Sequence, residues 1–323
     1  MKYVAAVSAA SLFLLAAALA QAPPKPAPAK TANAKQAKQA PEGEEPTTTI
    51  TLDVTRVNLL LTVTDRKGRF VSNLGKDDFD IIENKKKQSI LEFTSESDLP
   101  LRLAVLVDTS NSIRDRFKFI QEAANDFIIT AMRSQDKAVV VSFDTNAEIA
   151  ADMTNDTGLL QKTVRDLRPG GGTALYDAIY YACRDKLVLD QPRDQFRRAL
   201  IILSDGEDTG SRYTREQALE MAQRGDIVIY AVSTNISHTA MDGDKVLRRY
   251  AEETGGLAFF PFKAQDLGQS FENIANELRN QYNIFYRPEP LKRDGLYHPV
   301  DIRVKDRRDF VIRARRGYYA PTQ

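Results

Sequence analysis

The chain has 323 residues, of which 42% are hydrophobic, a formal net charge of +1 and one cysteine. That length and apolar content exclude a small stapled scaffold and leave room for a sizeable core in more than one folded unit. The near-zero charge excludes a global field that would draw in nucleic acid, so a charged partner must be met by a local patch.

Met1-Lys2-Tyr3, then the apolar stretch Val4 to Ala20 with Ala18-Leu19-Ala20 at its end, reads as a secretory signal peptide over residues 1–20. Cleavage after Ala20 predicts an exported protein, periplasmic or extracellular, with no membrane span once the signal is removed. An uncleaved anchor competes with this reading, although the stretch is marginal against the roughly 20 residues that a span needs. Residues 21–48 hold Pro23, Pro24, Pro26, Pro28, Pro41 and Pro46 with hardly an aliphatic side chain larger than alanine. Such a segment buries too little apolar area to offset its ordering entropy and is predicted to be a disordered linker.

From Thr49 the pattern has period two: Ile50, Leu52 and Val54, then Val57, Leu59, Leu61 and Val63, alternate with other residues. This predicts strands. Turns at Asp65–Gly68 and Glu83–Lys85 separate them from short strands at Phe79–Ile82 and Ile90–Phe93. Residues 49–98 are few for an independent sandwich. Tyr282–Tyr286, Pro299–Val304 and Phe310–Ala314 supply further strands, so 49–98 and 282–323 are predicted to pair into one small antiparallel β-sandwich. Arg303, Lys305 and Arg307 read as a solvated edge hairpin protected by charge. A polyanion grip there is disfavoured because no aromatic platform interleaves the arginines.

Residues 99–281 alternate buried strands with amphipathic helices. Strands are predicted at Leu101–Val107, Ala138–Phe143, Ala199–Leu203, Ile227–Val232 and Ala258–Phe260, with a hairpin through Ala147–Ala151. Helices are predicted at Phe117–Met132, Thr157–Leu167, Ala174–Leu189, Arg215–Arg224, Lys245–Thr254 and Ala264–Gln281. Continuous Val/Ile/Leu strands spaced by helices mean an α/β domain, a doubly wound, mostly parallel sheet with helices on both faces. Cys183, within an apolar helical pattern, is expected to be a buried and inert thiol.

In such a sheet, ligands bind beyond the carboxyl ends of the strands. Asp108 follows one buried run and Asp205 another, and Ser110 and Ser112 stand at alternate positions after Asp108. Thr173 closes Gly170-Gly171-Gly172 ahead of a helix. Taken singly, each residue has a second reading: Asp108 or Thr173 as a helix N-cap, the serines as turn formers, Asp205-Gly206 as a turn.

Together and in this order, Asp108-x-Ser110-x-Ser112, Thr173 and Asp205 resemble the metal-ion-dependent adhesion site (MIDAS) of the von Willebrand factor type A (VWFA) domain. The flanks carry wording similar to bacterial secreted VWFA-related proteins: Thr64–Gly68, Leu74 and Asp78-Phe79 in front, Arg315–Tyr319 behind. The resemblance implies a divalent metal held by Asp108, Ser110, Ser112, Thr173 and Asp205. Five hard oxygen donors suit Mg²⁺, with Mn²⁺ or Ca²⁺ as alternatives, and disfavour zinc. If Asp205 acts through a water, as the family suggests, the metal keeps positive charge and seeks an Asp or Glu carboxylate of a partner protein. The implied function is adhesion or assembly, not catalysis. In the family, the loop bearing Thr173 and the last helix can shift when ligand binds.

Enzyme readings have less to work with. His238 and His298 are the only histidines, and there is no Gly-x-Ser-x-Gly elbow, P-loop or dinucleotide fingerprint. A metal-assisted phosphohydrolase with Asp108 as nucleophile is the remaining enzyme alternative; Ser110 stands where such families usually carry a second acid.

Overall fold

A computed structural model describes residues 56–95, 99–189, 195–235, 239, 241–261 and 264–322. The predicted signal peptide, the linker and the strand at Ile50–Val54 lie outside the described residues.

β5 (Leu101–Asp108) and β8 (Arg197–Ser204) are buried along their whole length, as continuous apolar runs require of central parallel strands. They lie at the centre of a six-stranded sheet of order β10-β9-β8-β5-β6-β7, where β6 is Lys137–Phe143, β7 Ala147–Thr154, β9 Ile227–Ser233 and β10 Ala258–Phe259. All neighbours are parallel except the β6/β7 hairpin. Alternation along β5 divides the core. Leu103, Val105 and Val107 face α1 (Phe117–Ala131), α2 (Thr157–Asp166) and α6 (Ala264–Arg279). Ala104 and Leu106 face α3 (Leu175–Ala182), α4 (Arg215–Arg224) and α5 (Asp242–Thr254). The predicted doubly wound α/β architecture is thus the observed one.

Local chemistry sets the helix ends. The Asp156 carboxylate accepts from Leu159 N at 2.9 Å and starts α2. Thr214 and Gln217 form a capping box at α4. α5 begins three residues before the predicted Lys245, because the Asp244 carboxylate accepts from Met241 N at 3.0 Å and supports a first turn that Gly243 disguises. α3 begins one residue late, at Leu175, and passes into a π-helical turn, Cys183–Leu187, so the predicted single helix to Leu189 is modified.

The flanks form two four-stranded antiparallel sheets. One has the order β13-β1-β11-β4 and the other β14-β12-β2-β3. Their strands are β1 (Val57–Thr64), β2 (Phe79–Glu83), β3 (Lys86–Gln88), β4 (Ile90–Thr94), β11 (Tyr282–Tyr286), β12 (Tyr297–Val304), β13 (Val311–Ala314) and β14 (Gly317–Tyr319). Leu59 pairs with Ile284 and Ile81 with Ile302, so each sheet needs strands from both ends of the chain. Leu59, Leu61, Ile81, Ile284, Tyr286 and Val300 meet in one core between the sheets. β3 follows directly on the predicted turn Glu83–Lys85 and has no predicted counterpart, and neither has β14. β14 pairs with β12 only over Tyr297–Pro299, so the Arg303 end of β12 keeps a free edge as expected, but β12 and β13 belong to different sheets and form no hairpin. The basic residues there are balanced locally, Arg303 by Asp301 at 2.6 Å and Arg307 by Asp309 at 3.1 Å.

The sandwich is fixed to the strand-start end of the six-stranded sheet. Arg315 pairs with Asp226 just before β9 and donates to Asn58 O of β1. Arg313 of β13 pairs with buried Glu277 of α6 at 2.9 Å. Arg197, at the start of β8, donates to the carbonyls of Leu278 at 2.7 Å and Gln281 at 2.9 Å. Cys183 is fully buried, and burial pushes its thiol up. Among the described residues no helix is long and apolar enough to cross a membrane.

Candidate functional site

At the opposite end of the sheet, the last residue of β5 and the residue after β8 bring two carboxylates together. Asp108 is fully buried; its Oδ1 accepts Ser110 N at 2.8 Å and its Oδ2 accepts Ser204 Oγ at 2.6 Å. From there the polar atoms run outward. Ser110 Oγ lies 2.9 Å from Ser112 Oγ, and Ser112 Oγ donates to Asp205 Oδ2 at 2.7 Å. Ser110 is the last extended residue, and the turn that follows folds Ser112 back so that its hydroxyl meets that of Ser110. Past Ser110 the chain enters a short 3-10 turn, Asn111–Arg116.

Thr173 is held between the two carboxylate-bearing loops. On one side, Asn111 N donates to Gly171 O at 3.2 Å and Gly170 N to Thr109 O at 2.6 Å. On the other, Thr173 N donates to Thr209 Oγ1 at 2.9 Å, and its carbonyl accepts Thr209 N at 2.8 Å. Its side-chain hydroxyl has no hydrogen-bond partner among the described residues, and the residue is buried. Thr173 does not cap α3, because Ala174 occupies the cap position and makes no side-chain bond.

Glycine is required twice in these loops. Gly171 has φ +75°, and a Cβ there would lie 2.7 Å from Thr145 Oγ1. Gly206 has φ +82°, and a Cβ there would lie 2.2 Å from Gly243 O, so the Asp205 loop is locked against the first turn of α5.

Both carboxylates make the turn-closing bonds that the turn reading expects. Asp108 Oδ1 closes a turn onto Ser110 N, and Asp205 Oδ1 another onto Glu207 N at 3.2 Å. Each carboxylate uses backbone N–H bonds to fix its own orientation. Burial, with a smaller contribution from the charge of Asp205, pushes the Asp108 carboxyl up to about 6. Neither Asp108 nor Asp205 has a cationic side-chain partner among the described residues. The structure brings Asp108, Ser110, Ser112 and Asp205 into one chain of contacts and ties the Thr173 loop to both sides of it. Sequence reasoning missed Ser204, Thr209 and Gly243. Ser204 left a faint signal, a hydroxyl closing the apolar run of β8; the other two have none, since their partners are distant in sequence.

Such a group can do one kind of chemistry well. Two carboxylates and three hydroxyls present hard oxygen atoms, and the two negative charges stand close in a partly dry site that a divalent cation would relieve. Among the described residues no set of three or more His, Cys, Asp or Glu gathers as a metal group; this cradle depends on hydroxyls for the remaining donors.

No curated protein matches the sequence. Solved structures of similar fold include an aerotolerance-related membrane protein from Bacteroides fragilis, with 17% identity and TM-score 0.45, covering 55% of this chain and 99% of that one. A von Willebrand factor type A protein from Catenulispora acidiphila has 14% identity and TM-score 0.48, covering 76% and 73%. Proximal thread matrix protein 1 of the mussel byssus, with a zinc-occupied MIDAS motif, has 17% identity and TM-score 0.49, covering 59% and 48%. The family model of the von Willebrand factor type A domain matches residues 103–277, more than half of the chain. The chain therefore belongs to the von Willebrand factor type A domain family.

Proposed function

We propose that this protein is an exported, metal-dependent binding module whose cradle holds a divalent cation, Mg²⁺ by preference, and grips an Asp or Glu carboxylate of a partner protein. The observation that carries this reading is the continuous line from Ser110 Oγ through Ser112 Oγ to Asp205 Oδ2, backed by buried Asp108, with no cationic side-chain partner for either carboxylate among the described residues. Ser110, Ser112 and Thr173 would supply hydroxyl donors. Asp108, with both oxygens already engaged, would act mainly through its charge from behind them, and Asp205 from the side. The bound cation would supply positive charge at the mouth of the site. A partner carboxylate would complete its coordination, in an electrostatic lock that favours the right partner more than it adds raw affinity.

The family assignment also supports a binding role, as does the location beyond the strand ends, where open α/β sheets bind ligands. Export is proposed from the signal-like segment at residues 1–20. A phosphohydrolase with Asp108 as nucleophile is not favoured, since that carboxylate is fully buried and both its oxygens accept hydrogen bonds.

The test is a pull-down from an envelope extract with Mg²⁺ or with chelator, using the protein and its Ser110→Ala and Thr173→Ala variants. Chelator-sensitive capture that both substitutions weaken is expected. Capture of every partner unchanged by chelator and by both substitutions would remove the cradle from recognition. Turnover of phosphate esters with Mg²⁺, abolished by Asp108→Ala, would replace the binding reading with an enzymatic one.

A further inference from the structure

Arg114 follows the cradle serines in sequence, and Arg168 precedes the Gly170–Thr173 loop. Arg114, in the 3-10 turn after Ser112, donates through Nη2 to Asn111 Oδ1 at 2.6 Å and towards the Pro169 carbonyl at 3.5 Å. Arg168 donates through Nη1 to the carbonyls of Arg165 at 2.9 Å and Leu167 at 2.7 Å. Both residues are exposed, and neither has an acidic partner among the described residues. The seam that they border is the one that builds the cradle, where Asn111 N meets Gly171 O and Gly170 N meets Thr109 O. Asn111 lies between the two cradle serines, and consecutive Cα atoms are ~3.8 Å apart. The Arg114 guanidinium is thus held against Asn111, the residue between the two serines.

Neutral acceptors hold each guanidinium in place but consume only part of its donor fork. The remaining N–H groups suit a carboxylate, which Arg binds bidentately. Acidic residues also stand around the mouth: Asp144 lies against Gly171, exposed Asp115 follows Arg114 and exposed Glu207 follows Gly206. The two guanidinium groups are the ones among these that can pair with a partner carboxylate.

We propose that the partner segment carries more than one carboxylate. One faces the cation, and a second, a few residues along the same chain, is taken by Arg114 or Arg168. This inference rests on the cation-gripping reading above and adds the partner's chemistry to it: an acidic stretch rather than an isolated Asp or Glu.

Fluorescence anisotropy with two labelled, capped glycine-serine peptides tests it, one bearing a single glutamate and one bearing three at alternate positions. Each is titrated with the protein in Mg²⁺ and in chelator. In Mg²⁺ the three-glutamate peptide is expected to bind about tenfold tighter, the scale of one charge-assisted hydrogen bond. Combined Arg114→Gln and Arg168→Gln should remove that gain while single-glutamate binding and Mg²⁺ affinity stay unchanged; Arg114→Lys should retain part of it. Equal affinities for the two peptides, or a gain that survives the double substitution, would overturn the proposal and leave the cation reading intact. A parallel fall in single-glutamate and Mg²⁺ binding would also overturn it, making Arg114 a strap on the cradle loops. If neither peptide binds in a Mg²⁺-dependent way, the cation reading itself fails and the acidic-segment inference goes with it.

Discussion

Asp136, just before β6, and Asp108, at the end of β5, are both fully buried carboxylates on the same sheet, yet their surroundings differ. Asp136 accepts Leu101 N and Arg133 N, each at 2.7 Å, and pairs with the Arg279 guanidinium. The same holds for its neighbours at the strand-start end, where Glu277 has Arg313 and Asp226 has Arg315. At the strand-end edge, Asp108 and Asp205 receive hydroxyls and backbone N–H groups but no cationic side chain among the described residues. Where the sheet is fastened to the sandwich, buried charge is neutralised within the chain. At the cradle the two carboxylates have no such partner, and on the function proposed above a bound cation would supply the missing charge.

Breaking a joint pair should have the largest effect. Arg313→Ala leaves Glu277 buried without a counter-charge and should cost about 3 kcal/mol of unfolding free energy. Urea denaturation measures this, and a cost near zero would mean that the pair does not matter to the joint. Gly206→Ala should come next, at about 2 kcal/mol from the strained φ and the approach to Gly243 O. Gly170→Ala, where a Cβ meets nothing within 4 Å, should be nearly silent in the same measurement. The comparison predicts an opposite sign for Asp108→Asn in metal-free buffer. Removing an uncompensated buried charge should stabilise the fold by on the order of 1 kcal/mol, and this gain should vanish in excess Mg²⁺. Strong destabilisation of the metal-free protein by Asp108→Asn would place that carboxylate among the structural charges. The smallest effect belongs to Arg316, whose pairs with Glu252 and Glu253 lie on the surface. Arg316→Ala should shift stability by less than about 1 kcal/mol.

How much was legible in the sequence follows from which signals are local. Period-two alternation in Val57–Val63 and the unbroken runs of β5 and β8 revealed the two kinds of sheet, because face burial writes itself into every second residue or into all of them. The meeting of Asp108, Ser110, Ser112 and Asp205 was readable because the ends of adjacent parallel strands bring fixed positions together. Lys86–Gln88 was not readable as a strand. Its only buried residue, Gln88, is held by polar pairing with Glu289 N at 2.8 Å, which leaves no apolar pattern. The passage of β12 and β13 to different sheets was equally hidden, since two consecutive strands with alternating charge suit a hairpin or a crossing alike. Ser204 and Gly243 act through partners that only the fold brings near.

Isothermal titration of the metal-free protein with Mg²⁺, repeated on Asp108→Ala and Thr173→Ala, tests the central claim most directly. The account predicts one saturable site on the protein, weakened by at least about tenfold in each variant, with a rise in Tm that chelator reverses. Absence of saturable binding of Mg²⁺, and of Mn²⁺ and Ca²⁺ tested alongside it, or binding untouched by both substitutions, would contradict it.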